Sequence, residues 1–283
     1  MEYQWYPGHM TKAFRQMQED IKLIDLVIEI TDARIPYSAR NPEIEKLTAN
    51  KARMVLLNKA DLSDSKVTES WIEYYKNMDI PAVALDSRKN NNMKDVKDAL
   101  DKACQKKRER DLKRGIKNRP VRALVAGIPN VGKSTFINSF ANKSVAKTGN
   151  KPGVTKGKQW IRLNKDVELL DTPGVLWPKF EDRTVGLHLA MTGAISDNVI
   201  EHEELSMEII RFLKSDYATY ISKRYNIDEN EKEADILLNI ALSRGCLKKG
   251  GEPDILKAAD LIIDEFRSGT LGRISVEKPD DRG

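Results

Sequence analysis

Through the first 180 residues, short apolar runs alternate with stretches whose apolar positions recur every three or four residues. Phe14, Met17, Ile21 and Ile24 mark one helical face, which predicts a helix over 10–24. The runs at 25–31, 53–57, 81–85 and 122–126 are short, apolar and bounded by polar or glycine-containing turns, the signature of buried strands. Helices are predicted between them around 66–77, 92–113 and 133–142. Residues 158–163 and 166–170 read as a β-hairpin that turns at Asn164-Lys165. Strands alternating with helices imply a parallel or mixed α/β sheet. Beyond residue 180 only helical spacing persists, through 203–223, 230–243 and 253–267, and Gly245, Gly250, Gly251 and Pro253 punctuate the last gap. The expected organisation is an α/β domain over 1–178 and a smaller all-helical domain over 179–283. A loose polar tail is expected near 275–283.

Composition narrows this picture. The 283 residues are 40% hydrophobic and 32% charged, and mean hydropathy is −0.54, values of a water-soluble globular chain. No apolar run reaches the ~18–20 residues that cross a bilayer. The opening MEYQWYPGHM lacks the basic and apolar regions of a secretory signal. Cys104 and Cys246 lie far apart and outside any CxxC pattern, and three histidines give no metal cluster. The expected setting is the reducing cytoplasm, with no membrane and no DNA partner.

Charge is divided unevenly. Residues 181–283 carry 14 Lys and Arg against 21 Asp and Glu, so the excess of positive charge lies before them. It is steepest over 102–122, with ten bases and two acids. That run is either a solvated helix face or a contact for a polyanion such as RNA.

The chemistry sits just past strand ends. Gly127-Ile128-Pro129-Asn130-Val131-Gly132-Lys133-Ser134 matches GxxxxGK[ST] between a predicted strand and helix. Its glycines let successive N–H groups face a phosphate, Lys133 brings a point charge to the β/γ-phosphates, and Ser134 offers a hydroxyl to Mg²⁺. Asn130 to Thr135 are therefore candidate phosphate contacts. Asn58-Lys59-Ala60-Asp61 follows the strand at 53–57 and is similar to the NKxD motif of GTPases, in which the carboxylate accepts from guanine N1–H and N2–H₂. Adenine lacks that pair of donors and would leave the carboxylate unpaired. Asp171-Thr172-Pro173-Gly174 resembles DxxG, with Asp171 reaching Mg²⁺ through water and the Gly174 N–H sensing the γ-phosphate. Thr155 is the candidate switch threonine for the Mg²⁺ shell. Asp86-Ser87-Arg88 stands where a fifth motif would support the base.

Ordinary GTPases place the P-loop first and NKxD fourth. Here NKxD comes about 70 residues earlier than the P-loop. In this permuted order, and in WYPGHM, Asp32-Ala33-Arg34-Ile35-Pro36 and the RGCLKKGGEPD segment at 244–254, the chain resembles the circularly permuted GTPases of the YlqF/YawG family. The resemblance implies a P-loop GTPase sheet followed by the helical domain. It further implies binding of GTP and GDP, and assembly of the large ribosomal subunit on rRNA and precursor particles as a nucleotide-dependent switch. The permutation makes the segment after Gly174 the lead into the helical domain.

Many GTPases carry a glutamine directly after DxxG to orient the attacking water. This chain has Val175 and then Leu176, which cannot hydrogen-bond water. The resemblance implies slow intrinsic turnover with stimulation by a partner, and a K⁺ ion supported by Asn130. His9, after the turn-forming Tyr6-Pro7-Gly8, is a second candidate for the missing group and equally a structural or RNA-contacting residue. A regulatory GTPase with a protein partner is the alternative reading. An ATP-dependent kinase would share the P-loop without needing NKxD.

Overall fold

The computed structural model describes residues 15–89, 92–116, 119–141, 159–162, 167–171, 182–197 and 200–282. The chain divides into two compact units, Met1–Glu181 together with Ser275–Gly283, and Asp182–Ile274.

Six strands build the first unit: β1 (Leu26–Asp32), β2 (Ala52–Asn58), β3 (Ala82–Leu85), β4 (Val121–Ala126), β5 (Gln159–Arg162) and β6 (Val167–Asp171). They form one sheet in the order β3-β2-β1-β4-β6-β5. All neighbours run parallel except the edge pair β5–β6. All seven residues of β1 are buried, as expected of a central strand covered on both faces. That burial includes Glu29, whose carboxylate takes an Arg53 Nε–H bond of 3.0 Å from β2.

Among the described residues four helices connect these strands. The first, α1 (Pro42–Thr48), was not expected from periodicity, yet it carries a local start signal. Pro42 opens it, and the Asn41 side chain accepts from Glu43 N and Ile44 N. Helix α2 (Ser65–Asn77) is capped by Asp64 and buries Thr68, Trp71 and Tyr75 at helical spacing. Trp71 and Tyr75 pack with Ala33, Val55 and Leu57. Removing the indole of so buried a Trp71 costs about 3–5 kcal/mol. Helix α3 (Met93–Lys113) buries Val96, Leu100, Cys104, Lys107 and Asp111 along one face. Lys107 is thus no surface cation: its ammonium lies 2.8 Å from Asp111 and 3.5 Å from Asp25. Helix α4 (Lys133–Ala141) follows the P-loop.

The second unit is helical: α5 (Arg183–Met191), α6 (His202–Asp216), α7 (Tyr220–Tyr225), α8 (Glu233–Ser243) and α9 (Ile255–Ser268). Leu205, Ile209, Ile210 and Leu213 of α6 are buried, as are Ala258, Ala259, Ile262, Ile263 and Phe266 of α9. The expected helix over 203–223 is broken in two, because Thr219 takes a left-handed φ of 76°. Arg224 and Tyr225 of α7 both bond the Glu265 carboxylate of α9.

The expectation of a loose tail fails. Ser275, Val276 and Glu277 are buried in the first unit, although the chain reaches them by way of the helical unit. Sequence reading took their polarity for exposure, whereas each polar group here has a partner in the sheet unit.

Candidate functional site

The strand ends lie level with one another. Asp32, the last residue of β1, pairs in register with Asn58 of β2, and Asn58 with Leu85 of β3. From β1 the chain fills one side of the sheet with β2 and β3, then crosses to β4 on the other side. The crevice at such a reversal, outside the carboxyl ends of the strands, is where open α/β sheets bind ligands. The loops after β1, β2, β3 and β4 all open there.

One side chain joins three of these loops. Asn58 donates through Nδ2 to the Val131 carbonyl at 2.7 Å, and its Oδ1 accepts the Ser87 N–H at 2.9 Å. The GxxxxGKS loop, Asn58-Lys59-Ala60-Asp61 and Asp86-Ser87-Arg88 therefore share one wall, although residues 58 and 131 are 73 positions apart. The approach is close enough to demand glycine. A Cβ on Gly132, whose φ is +99°, would lie 2.3 Å from Asn58 Nδ2. The Ala60 N–H completes the junction with a 3.1 Å bond to the Leu85 carbonyl.

On the P-loop side, Lys133 is buried, and its ammonium donates to the carbonyls of Gly127 (3.1 Å) and Ile128 (2.9 Å). Asn130 adopts a left-handed φ of 58° at the loop's tip. Ser134 and Thr135 fall in the first turn of α4, where backbone N–H groups lack helical partners and favour an anion. Asp171 ends β6 in register with Val125 of β4, so its strand runs beside the one that leads into the P-loop.

On the other side the polar groups are charged. Asp61 Oδ2 accepts from the Arg88 guanidinium at 2.6 Å, while its buried Oδ1 has no hydrogen-bond partner among the described residues. That atom is an acceptor awaiting a donor. Arg88 Nε also donates to Asp86 Oδ1 at 2.8 Å, and these bonds hold the Asp86 carboxyl below its ordinary range. Beside them, Asp32 takes two bonds from the buried Arg34 guanidinium (3.0 and 2.8 Å) and lies 3.0 Å from Lys59 Nζ. Burial opposes ionisation of Asp32, but the Arg34 and Lys59 cations outweigh it and hold its carboxyl well below the usual carboxylate range. Burial lowers the Lys59 ammonium, and Asp32 partly offsets that.

The structure thus brings together Asn58, Lys59, Ala60, Asp61, Asp86, Ser87, Asn130, Val131, Gly132, Lys133, Ser134 and Thr135. His9, Thr155 and Gly174 lie outside the described residues, as do Val175 and Leu176; Asp171 is described in its backbone alone. Sequence reading passed over three polar partners of the site. Arg88 was part of a recognised motif, but nothing local says that its guanidinium turns to Asp61. Asp32 and Arg34 stood out only as a family segment, although an acid and a base two apart after a buried strand are themselves a signal.

Comparison with known proteins decides the family. Residues 122–242 match the family described as "50S ribosome-binding GTPase". Ribosome biogenesis GTPase A of Bacillus cereus is 45% identical over 100% of this chain and 96% of its own length. The protein of the same name from Thermotoga maritima is 32% identical over 98% and 95%. The chain belongs to the ribosome biogenesis GTPase A family. A crystal structure of YlqF from T. maritima, titled as GNP-bound, superimposes with a TM-score of 0.67 at 28% identity, covering 95% of this chain and 99% of that one. The GDP-bound structure gives the same score over 94% and 100%. The sheet carries the permuted motif order of the family, with NKxD after β2 and the P-loop after β4. The chain is accordingly a GTP-hydrolysing assembly factor for the large ribosomal subunit. Among the described residues no helix is long and apolar enough to cross a membrane.

Proposed function

We propose that this GTPase turns over slowly alone, is accelerated by precursors of the large ribosomal subunit, and grips their rRNA. The reading of the site rests on the Asn58 amide, which ties the P-loop to the loop ending in Asp61. Guanine then lies over Asn58, Lys59, Ala60 and Asp61, with its N1–H and N2–H₂ on the Asp61 carboxylate and Asp86 and Ser87 supporting that loop. Asn130 to Thr135 and Gly174 cradle the phosphates. On phosphate binding, the Lys133 ammonium exchanges the carbonyls of Gly127 and Ile128 for phosphate oxygens.

The residues present fit Mg²⁺. The Ser134 hydroxyl and the Asp171 carboxylate are hard oxygen donors, Asp171 ending the strand beside the one that leads into the P-loop, and Mg²⁺ takes few protein ligands beside phosphate oxygens and water. Ser134 and Thr155 would hold it directly and Asp171 through water. When bound, it neutralises charge developing on the β/γ oxygens. A K⁺ ion at Asn130 and the imidazole of His9 are the two candidates for the task that Val175 and Leu176 cannot perform. Lys133 and Thr155 complete the catalytic set.

The rRNA contact is assigned to the outer face of α3 and its continuation, where Lys102, Arg110, Lys113 and Arg114 are exposed. The test is the GTPase rate with mature large subunits, with their precursors and with neither, in K⁺ and in Na⁺. Stimulation by particles is expected. Neutralising these four cations should weaken particle binding and flatten its salt dependence, while leaving GTP affinity intact. A rate indifferent to particles would favour a protein partner instead.

A further inference from the structure

The segment that returns from the helical unit lands beside the base-reading loop. Val276 N–H and Glu277 N–H both donate to the Arg34 carbonyl, at 2.8 and 3.2 Å. The buried Glu277 carboxylate accepts from Tyr37 N (2.8 Å), from Ser38 N (3.1 Å) and from the Ser38 hydroxyl. Across the segment, Trp71 Nε1 donates to the Glu277 carbonyl at 3.0 Å, and Asp64 N to Ser275 Oγ at 3.1 Å. The segment therefore clamps two stretches, 34–38 and 64–71, which flank the NKxD loop in space and in sequence.

We propose that Glu277 is a positioning residue for guanine-nucleotide binding, acting through the Asp32–Ser38 loop on Lys59. The proposal rests on the reading of Asn58–Asp61 as the guanine loop. The chain of contacts is short. Glu277 collects the N–H groups of Tyr37 and Ser38, which lie outside any strand or helix, and so fixes the turn after Arg34. Arg34, held at its carbonyl by the same segment, sets the Asp32 carboxylate through two bonds. Asp32 then holds Lys59 Nζ at 3.0 Å, across a residue whose left-handed φ of 58° leaves its side-chain direction dependent on that anchor. The Glu277 carboxylate accepts from three donors of this turn at once, which an apolar side chain there could not do.

The segment belongs to no nucleotide motif, and its position in the chain makes the inference testable. Affinities for GDP and GTP are measured in the parent, Glu277→Ala, Lys59→Met and the double variant, with melting temperatures alongside. Glu277→Ala should weaken GDP and GTP alike by about 5–20-fold, because the γ-phosphate plays no part. In the Lys59→Met background the same change should add less than about twofold, while the fall in melting temperature stays the same. Equal losses of affinity in both backgrounds, or no loss in the parent, would make the segment a brace and overturn the proposal. Should Glu277→Ala fail to fold, Ser38→Ala removes one of the three donors and runs the same cycle. Asp61→Asn separates the two levels of the argument. Undiminished guanine affinity in that variant overturns the loop assignment and the proposal together. A switch of base preference with additive losses in the cycle overturns the proposal alone.

Discussion

The NKxD side and the P-loop side of the cleft are held together by different kinds of bond. Around the base loop, charged side chains pair with one another: Asp61 with Arg88, Arg88 with Asp86, Asp32 with Arg34 and Lys59. Around the P-loop, side chains bond to backbone: Lys133 to the carbonyls of Gly127 and Ile128, Asn58 to that of Val131. The difference follows from what each side has to recognise. On the proposed reading a phosphate is met by backbone N–H groups and the Lys133 cation, so the loop needs shape above all. On the same proposed reading a base is recognised by the Asp61 carboxylate, which its hydrogen-bonded neighbours must aim. The NKxD side is thus built from side-chain ion pairs, one of which a bound guanine would have to displace, and the P-loop side from backbone curvature.

The largest effect should come from the carboxylate itself. Asp61→Asn presents an amide N–H to guanine donors and should lower GTP affinity by a factor on the order of 10⁴. Xanthosine nucleotides, with a carbonyl at C2, should bind the variant better than guanosine nucleotides. Competition between the two in a filter-binding or fluorescence titration checks it. If GTP binds the variant as it binds the parent, the base is read elsewhere and the comparison collapses.

On the phosphate side, Lys133→Ala should lower kcat for GTP by about 10²–10³-fold, the usual cost of one missing charge at a transferring phosphoryl group. Single-turnover hydrolysis at saturating GTP measures it, and a rate equal to the parent's would remove this loop from the chemistry.

The smallest expected effect sharpens the contrast. Arg88 is largely exposed, and its pair with Asp61 is worth about 0.2–1 kcal/mol at such a site. Arg88→Ala should raise GDP affinity by a factor of about 1.5–5 at low salt, because guanine no longer competes with the guanidinium for Oδ2. The gain should shrink as salt rises. A loss of affinity would show instead that Arg88 supports the bound base.

Much of this could be read locally. The strands announce themselves as apolar runs, and the motif loops as glycine or paired polar residues directly behind them, because both signals lie within a few neighbouring residues. The buried position of Lys107 was also present, since Val96, Leu100, Cys104, Lys107 and Asp111 follow the helical period; the density of surrounding charge hid it. Helix α1 escaped because seven residues are too few for periodicity, although Asn41-Pro42 marks its start. The break at Thr219 has no residue signal, as a left-handed threonine is set by its surroundings. Glu277 was beyond reach for a different reason. Its partners Tyr37 and Ser38 lie 240 and 239 positions away, and a carboxylate that will be buried looks in sequence like any exposed one.

Synthesis of the chain gives the returning segment a further meaning. A ribosome makes the polypeptide from its amino end, and Glu277 lies about 100 residues beyond β6. At 5–20 residues per second this interval lasts about 5–20 s. Throughout it the sheet can be complete while the Glu277 carboxylate that accepts from Tyr37 and Ser38, and the Glu277 carbonyl that accepts from Trp71 Nε1, have not yet been made. The sheet unit is thus finished by its own last segment, which a nascent chain cannot place before the intervening helices have been made.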